Sequence, residues 1–126
     1  MKILVVDDSA VQRKMIMMII RKAGFEHEFL EAVDGKDAIQ KLGLNYQDIA
    51  LILCDWSMPN MSGVEFLAGV AKVPAVARIP CIMVTAEGTE DKIQAARKSH
   101  PLLAGYIVKP FTPELFKEKI EGILKK

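Results

Sequence analysis

Four apolar runs recur along the chain, and each gives way to a polar or charged residue. Met1 to Val6, apolar except for Lys2, runs into Asp7-Asp8; Ile49 to Cys54 runs into Asp55; Cys81 to Val84 into Thr85; and Tyr106 to Val108 into Lys109. Continuous rather than alternating apolar character marks strands buried on both faces, as in a parallel sheet covered by helices. Between these runs the period changes to that of a helix. Ser9 stands ahead of a segment in which Val11, Met15, Met18 and Ile19 form the apolar face, and Gly24 is placed to end it. Asp37 to Leu42 reads as a short second helix after the turn Asp34-Gly35, Val64 to Val73 as a third closed by Pro74, and Glu90 to Ser99 as a fourth ending before Pro101. Thr112 and Pro113 are the cap and first-turn proline of a fifth, with the stripe Phe116, Ile120, Ile123 and Leu124. With a further strand at Glu28 to Ala32, the order is strand then helix throughout. The expected class is α/β, a doubly wound five-stranded parallel sheet with five helices.

In open α/β sheets the ligand crevice lies beyond the carboxyl ends of the strands, so the residues that follow the apolar runs are expected to meet at one edge. Asp7, Asp8, Asp55 and Lys109 then look like the parts of one phosphoryl-transfer site. Three carboxylates and an ammonium suit a magnesium-dependent aspartyl phosphate, because magnesium takes oxygen ligands and neutralises charge as the phosphoryl group moves. Asp7 and Asp8 are consecutive and would face opposite ways in a regular strand, so both can ligate only where strand gives way to loop, a place that Ser9 marks. Read alone, the pair is as well explained by helix capping. Pro59 and Gly63 close behind Asp55 give a loop that can turn back and offer backbone groups to an anion. The Thr85 hydroxyl can donate to a phosphoryl oxygen and so sense occupancy. Lys109 precedes Pro110 across a bond expected to be cis, which would aim the ammonium at the site.

Composition narrows the class further. At 126 residues the chain is long enough for one buried core and too short for two ordinary domains, so residues 1–126 are expected to form a single domain. A net charge of +1 gives no electrostatic reason to expect nucleic-acid binding. No apolar stretch approaches the roughly 18 residues of a membrane span, and the start lacks a signal-like core, so a cytoplasmic protein without a membrane partner is expected. Cys54 and Cys81 lie inside apolar runs and read as small core hydrophobes, with neither a disulfide nor a metal site expected. The methionines at 15, 17 and 18 read as core filler, and His100 as a loop residue without a second ligand nearby.

The segments Asp7-Asp8-Ser9, Asp55-Trp56-Ser57-Met58-Pro59-Asn60-Met61-Ser62-Gly63, Met83-Val84-Thr85-Ala86-Glu87 and Tyr106-Ile107-Val108-Lys109-Pro110-Phe111-Thr112 resemble, in order, the motifs of response-regulator receiver domains. The likeness spans Ile3 to Leu124 and is strongest to the stand-alone chemotaxis regulators of that family. It implies a flavodoxin-like fold with strand order 2-1-3-4-5 and a central aspartate phosphorylated by a histidine kinase or phosphotransfer protein. By that resemblance Asp55 accepts the phosphoryl group, and Asp7, Asp8 and Asp55 hold magnesium with the backbone carbonyl of Ser57. Thr85 and Lys109 contact phosphoryl oxygens, and Tyr106 moves inward as Thr85 approaches the phosphate. A monomer that binds a downstream target, such as a flagellar motor switch, is implied.

Two departures from the family pattern matter. Ser99-His100-Pro101-Leu102-Leu103-Ala104-Gly105 is longer than usual on the face through which such proteins signal, which leaves partner specificity open. Ser57, two residues after Asp55, occupies a position that tunes dephosphorylation in the family. A phosphatase of the haloacid-dehalogenase type resembles a pattern needing an aspartate at that position, and a flavodoxin or nucleotide fold needs a glycine- or hydroxyl-rich loop where Asp7-Asp8-Ser9-Ala10-Val11 stands. A phosphorelay intermediate and the detached receiver of a transcription factor stay as alternatives. The chain ends at Lys125-Lys126 directly after the fifth helix, and a complete regulator acting by binding is the favoured expectation.

Overall fold

A computed structural model describes residues 1–124; Lys125 and Lys126, the terminal pair noted in the sequence, lie outside the described residues. The strands are β1 (Lys2–Val6), β2 (Glu28–Ala32), β3 (Ile49–Cys54), β4 (Cys81–Thr85) and β5 (Gly105–Val108). The helices are α1 (Ala10–Lys22), α2 (Gly35–Asn45), α3 (Gly63–Ala71), α4 (Pro74–Ala77), α5 (Glu90–Ser99) and α6 (Pro113–Leu124), with a 3-10 turn at Tyr46–Asp48. All strand pairs are parallel and the order is β2-β1-β3-β4-β5, the flavodoxin-like arrangement.

Strand parity divides the core in two. Leu4, Val6, Ile52, Cys54 and Met83 turn to one face, where α2 supplies Ala38 and Leu42, α3 supplies Phe66, Leu67 and Val70, and α5 supplies Ala96. Ile3, Val5, Leu51, Leu53, Ile82, Val84 and Ile107 turn to the other, against Ile16 and Ile20 of α1 and Phe116 and Ile120 of α6. Both faces are therefore covered, which is why the central strands carry no polar alternation. Cys54 and Cys81 are buried free thiols, as read from the sequence. Burial pushes the Cys81 thiol up to about 12. No helix among the described residues is long and apolar enough to cross a membrane.

The structure corrects several local readings. The inward face of α1 is Ile16 and Ile20, while Val11, Met15 and Met18 are exposed and Met17 is only half-buried. This helix is apolar on most of its circumference, so spacing alone admits more than one stripe. α2 is longer than Asp37 to Leu42 because Asp34 caps it earlier and three further residues, 43–45, continue the last turns. α3 stops at Ala71 rather than Val73, and Pro74 opens a single turn of its own, α4, which buries Val76. His100 is a loop residue, as read, but not an exposed one. It caps α5 from a buried position, both ring nitrogens lack a hydrogen-bond partner, and burial lowers its pKa. Of the two leucines in the long loop, Leu102 is exposed and Leu103 joins the core.

Candidate functional site

β1 ends at Val6, but its ladder continues one step, because the Asp7 amide donates to the Ala32 carbonyl at 3.0 Å. This fixes Asp7 in a buried position while Asp8, the next residue, is exposed. The Asp7 carboxylate accepts from the Ser9 amide at 2.9 Å through Oδ1 and faces the Lys109 ammonium at 3.0 Å through Oδ2. Ser9 in turn caps α1 by accepting from the Gln12 amide. Arg13, one turn further on, donates to the Asp7 carbonyl at 2.7 Å and to Glu31 at 2.8 Å, clamping the turn after β1 onto the end of β2.

Asp55 is placed by the neighbouring strand. Its amide donates to the Val6 carbonyl at 2.9 Å, so the two acidic ends lie side by side. Its Oδ1 accepts from the Trp56 amide at 2.7 Å, and its Oδ2 lies 3.6 Å from Lys109 Nζ. Lys109 arrives from the far side of the sheet, its amide donating to the Thr85 carbonyl at 2.8 Å, and the Lys109-Pro110 bond is cis. Among the described residues, Asp7, Asp8 and Asp55 each offer a carboxylate oxygen within 4.8 Å of the others. Three carboxylates against one ammonium leave an excess of negative charge, and an all-oxygen donor set of this kind fits a hard divalent cation such as magnesium.

Thr85 ends β4 fully buried, its hydroxyl accepting from the Glu87 amide at 3.3 Å. Tyr106 on β5 is half-buried against the core, and its hydroxyl donates to the Glu87 carbonyl. Burial, then the Glu87 charge, raise its pKa. One loop residue thus holds both predicted switch side chains. Ser57 sits exposed in the loop from Asp55 to Ser62. That loop closes where the Gly63 amide donates to the Trp56 carbonyl at 2.8 Å, and only glycine fits there: a Cβ on Gly63 would stand 1.9 Å from the Asp55 carbonyl oxygen. The structure therefore brings Asp7, Asp8, Asp55 and Lys109 together as the sequence predicts, with Thr85 and Tyr106 joined through Glu87.

Several residues around this cluster escaped the sequence reading. Arg13 gives no signal beyond a charge on a helix. Lys92 on α5 lies over the Trp56 ring, 4.9 Å from its centroid, linking α5 to the residue after Asp55. Asp34 and Asn60 bond each other at 2.7 Å across 26 positions of chain. The Asp34-Gly35 turn was visible in the sequence, but its partner was not. A surface hollow lined by Met1, His27, Tyr46 and Arg78 shares no residue with the acidic cluster.

Known proteins can be set beside this geometry. The description "Response regulator receiver domain" matches residues 3–121. Chemotaxis protein CheY1 of Helicobacter pylori is 40% identical over 124 residues, covering 98% of this chain and 97% of its own. The crystal structure of Vibrio cholerae chemotaxis protein CheY4 superposes with a TM-score of 0.83 at 31% identity, covering 97% of both chains. The CheX-CheY-BeF3-Mg2+ complex of Borrelia burgdorferi superposes with a TM-score of 0.85 at 25% identity, covering 99% of this chain and 90% of that one. With one family description running through all four motifs and a chemotaxis regulator matched nearly end to end, the chain belongs to the response-regulator receiver family.

Proposed function

We propose that this protein is a single-domain, cytoplasmic response regulator whose Asp55 takes a phosphoryl group from a histidine kinase or phosphotransfer protein and thereby changes its affinity for a target protein, in a chemotaxis-type pathway. The observation that carries this reading is the convergence of the Asp7, Asp8 and Asp55 oxygens within 4.8 Å, beside the Lys109 ammonium. Asp7, Asp8 and Asp55 would hold magnesium together with the Ser57 carbonyl. Bound there, the ion supplies the charge neutralisation that lets a carboxylate meet a phosphoryl group.

In the transfer, an Asp55 carboxylate oxygen forms the new bond to phosphorus as the bond to the donor's histidine nitrogen breaks, and the departing imidazole takes up a proton. Lys109, 3.0 Å from Asp7 and 3.6 Å from Asp55, stands ready to exchange those pairings for a phosphoryl oxygen. The Thr85 hydroxyl is an acceptor from Glu87 and can turn its proton toward the same group. Moving Thr85 would disturb Glu87, and Glu87 holds Tyr106 through its carbonyl. A switch of this kind biases two conformations rather than building a new one.

The exposed Met15, Met18 and Pro113, with the half-buried Phe111, make an apolar surface between α1 and α6, and Met15 and Phe111 also border Lys109. A phosphodonor helix seated there would bring its histidine to the acidic cluster. The Borrelia structure holds CheY in complex with CheX, beryllofluoride and magnesium, which supports a protein partner for this chain too.

Trp56 is the sole tryptophan and adjoins the acceptor, so its fluorescence reports the site directly. Magnesium, then beryllofluoride as a phosphoryl mimic, should each change that fluorescence in the wild type. Asp8→Asn should lose most of the magnesium response and Asp55→Asn the beryllofluoride response. An unaltered beryllofluoride response in Asp55→Asn would show that the mimic binds elsewhere and reject the assignment.

A further inference from the structure

In the proposed function the loop from Asp55 to Ser62 has to present the Ser57 carbonyl to the metal, yet every residue of it is exposed or half-buried. Its internal bonds, Gly63 amide to Trp56 carbonyl at 2.8 Å and Met61 amide to Pro59 carbonyl at 2.7 Å, close the loop on itself without tying its tip to the rest of the fold. Met58 and Met61 pack against the core, and a polar tie comes from the start of α2. Asn60 has a φ of 67°, in the left-handed region that asparagine and aspartate tolerate better than other side chains. From there its Nδ2 donates to Asp34 Oδ2 at 2.7 Å.

Asp34 is well placed to serve as the anchor. It is buried, and its two oxygens are divided: Oδ1 caps α2 by accepting from the Asp37 amide at 2.8 Å, and Oδ2 takes the loop. Both bonds favour the charged form, and its pKa lies below the ordinary 3.8, through the Asp37 amide first and the Asn60 side chain second. Next to it, the Gly35 amide meets the Met61 carbonyl at 3.4 Å, and a Cβ on Gly35 would fall 2.7 Å from Met61 Cγ. Only a bare glycine lets the loop seat this closely on the helix start. α2 itself is fixed to the sheet through Ala38 and Leu42.

We propose that Asp34 is a positioning residue for the phosphoryl site: through Asn60 it fixes the loop that presents the Ser57 carbonyl, and so sets the magnesium affinity of the Asp7, Asp8 and Asp55 cluster. The proposal rests on the function given above. Asp34 itself touches neither metal nor phosphoryl group in this scheme, and its influence is geometric.

Reversing the pair tests this. Asp34→Asn keeps an acceptor for the helix cap, since Asn and Asp cap equally well, and exchanges the charge-assisted bond to the loop for a neutral one that forms when the Asn60 amide turns over. Asn60→Asp sets carboxylate against carboxylate. The double variant Asp34→Asn/Asn60→Asp restores donor to acceptor with the roles exchanged and keeps a residue that tolerates the left-handed backbone. Two readouts are taken: magnesium affinity by Trp56 fluorescence, and amide hydrogen exchange of residues 56–62 in metal-free protein. Asn60→Asp should weaken magnesium binding by about tenfold, the scale of losing a bond that orients a ligand, and speed loop exchange, while Asp34→Asn should do both to a smaller extent. The double variant should regain most of both. Asn60→Asp with wild-type exchange and affinity, or a double variant no better than Asn60→Asp alone, would overturn the tether. If the wild type shows no magnesium response, the proposed function is what fails, and the exchange pattern alone decides whether Asp34 holds the loop.

Discussion

At Lys109 a single ammonium, mostly buried, faces Asp7 at 3.0 Å and Asp55 at 3.6 Å. It neutralises part of the charge that a cation would otherwise meet, while giving a phosphoryl group a positive partner. These two effects oppose each other, and a substitution separates them. Lys109→Met keeps much of the side-chain volume and removes the charge. Magnesium should then bind more tightly, by up to about tenfold or about 1.4 kcal/mol, while phosphorylation slows. Fluorescence titration and a time course of labelling measure the two. Weaker magnesium binding would mean that Lys109 acts chiefly by holding the carboxylates in place. At this scale the sequence was most informative about residues whose placement follows from residue type and position after a strand, namely Asp7, Asp8, Asp55, Thr85 and Lys109. It was silent where a role depends on a partner distant in the chain. Asp34 was seen as half of a turn, and nothing near it points to Asn60, 26 residues away.

α1 illustrates what element-level patterns can and cannot decide. Its existence and cap follow from Ser9 and the apolar spacing, but Val11, Met15, Met18 and Ile19 were read as its apolar face, and the sheet takes Ile16 and Ile20 instead, with only Ile19 of the expected four packed half-buried beside them. Spacing defines a stripe without saying which of two stripes meets the sheet. α4 was missed because its four residues are too few for any period to show. The two faces of α1 should separate stability from recognition. Ile16→Ala should cost about 2–5 kcal/mol in denaturant unfolding, as burial of this kind usually does. Met15→Glu should shift stability by less than about 0.5 kcal/mol. The same Met15→Glu change should slow phosphotransfer from a histidine phosphodonor protein while leaving labelling by acetyl phosphate near wild type. Equal slowing with both donors would place the effect in the site rather than in docking.

For the molecule as a whole, strand order was legible only through the family likeness, because apolar runs identify strands without saying which are neighbours. The observed order β2-β1-β3-β4-β5 puts β1 and β3 side by side, and this adjacency is what lets Asp55 donate its amide to Val6 and stand beside Asp7. β4 and β5 then deliver Thr85 and Lys109 to the same edge. The central claim is that this edge works as one unit, a magnesium-dependent phosphoryl acceptor centred on Asp55. Intact-mass analysis after incubation with acetyl phosphate tests it most directly. Wild-type protein should gain one phosphoryl group per chain with magnesium present and none with the metal chelated, and Asp55→Asn should gain none in either case. Stoichiometric phosphorylation of Asp55→Asn, or equal labelling of the wild type without magnesium, would contradict the account.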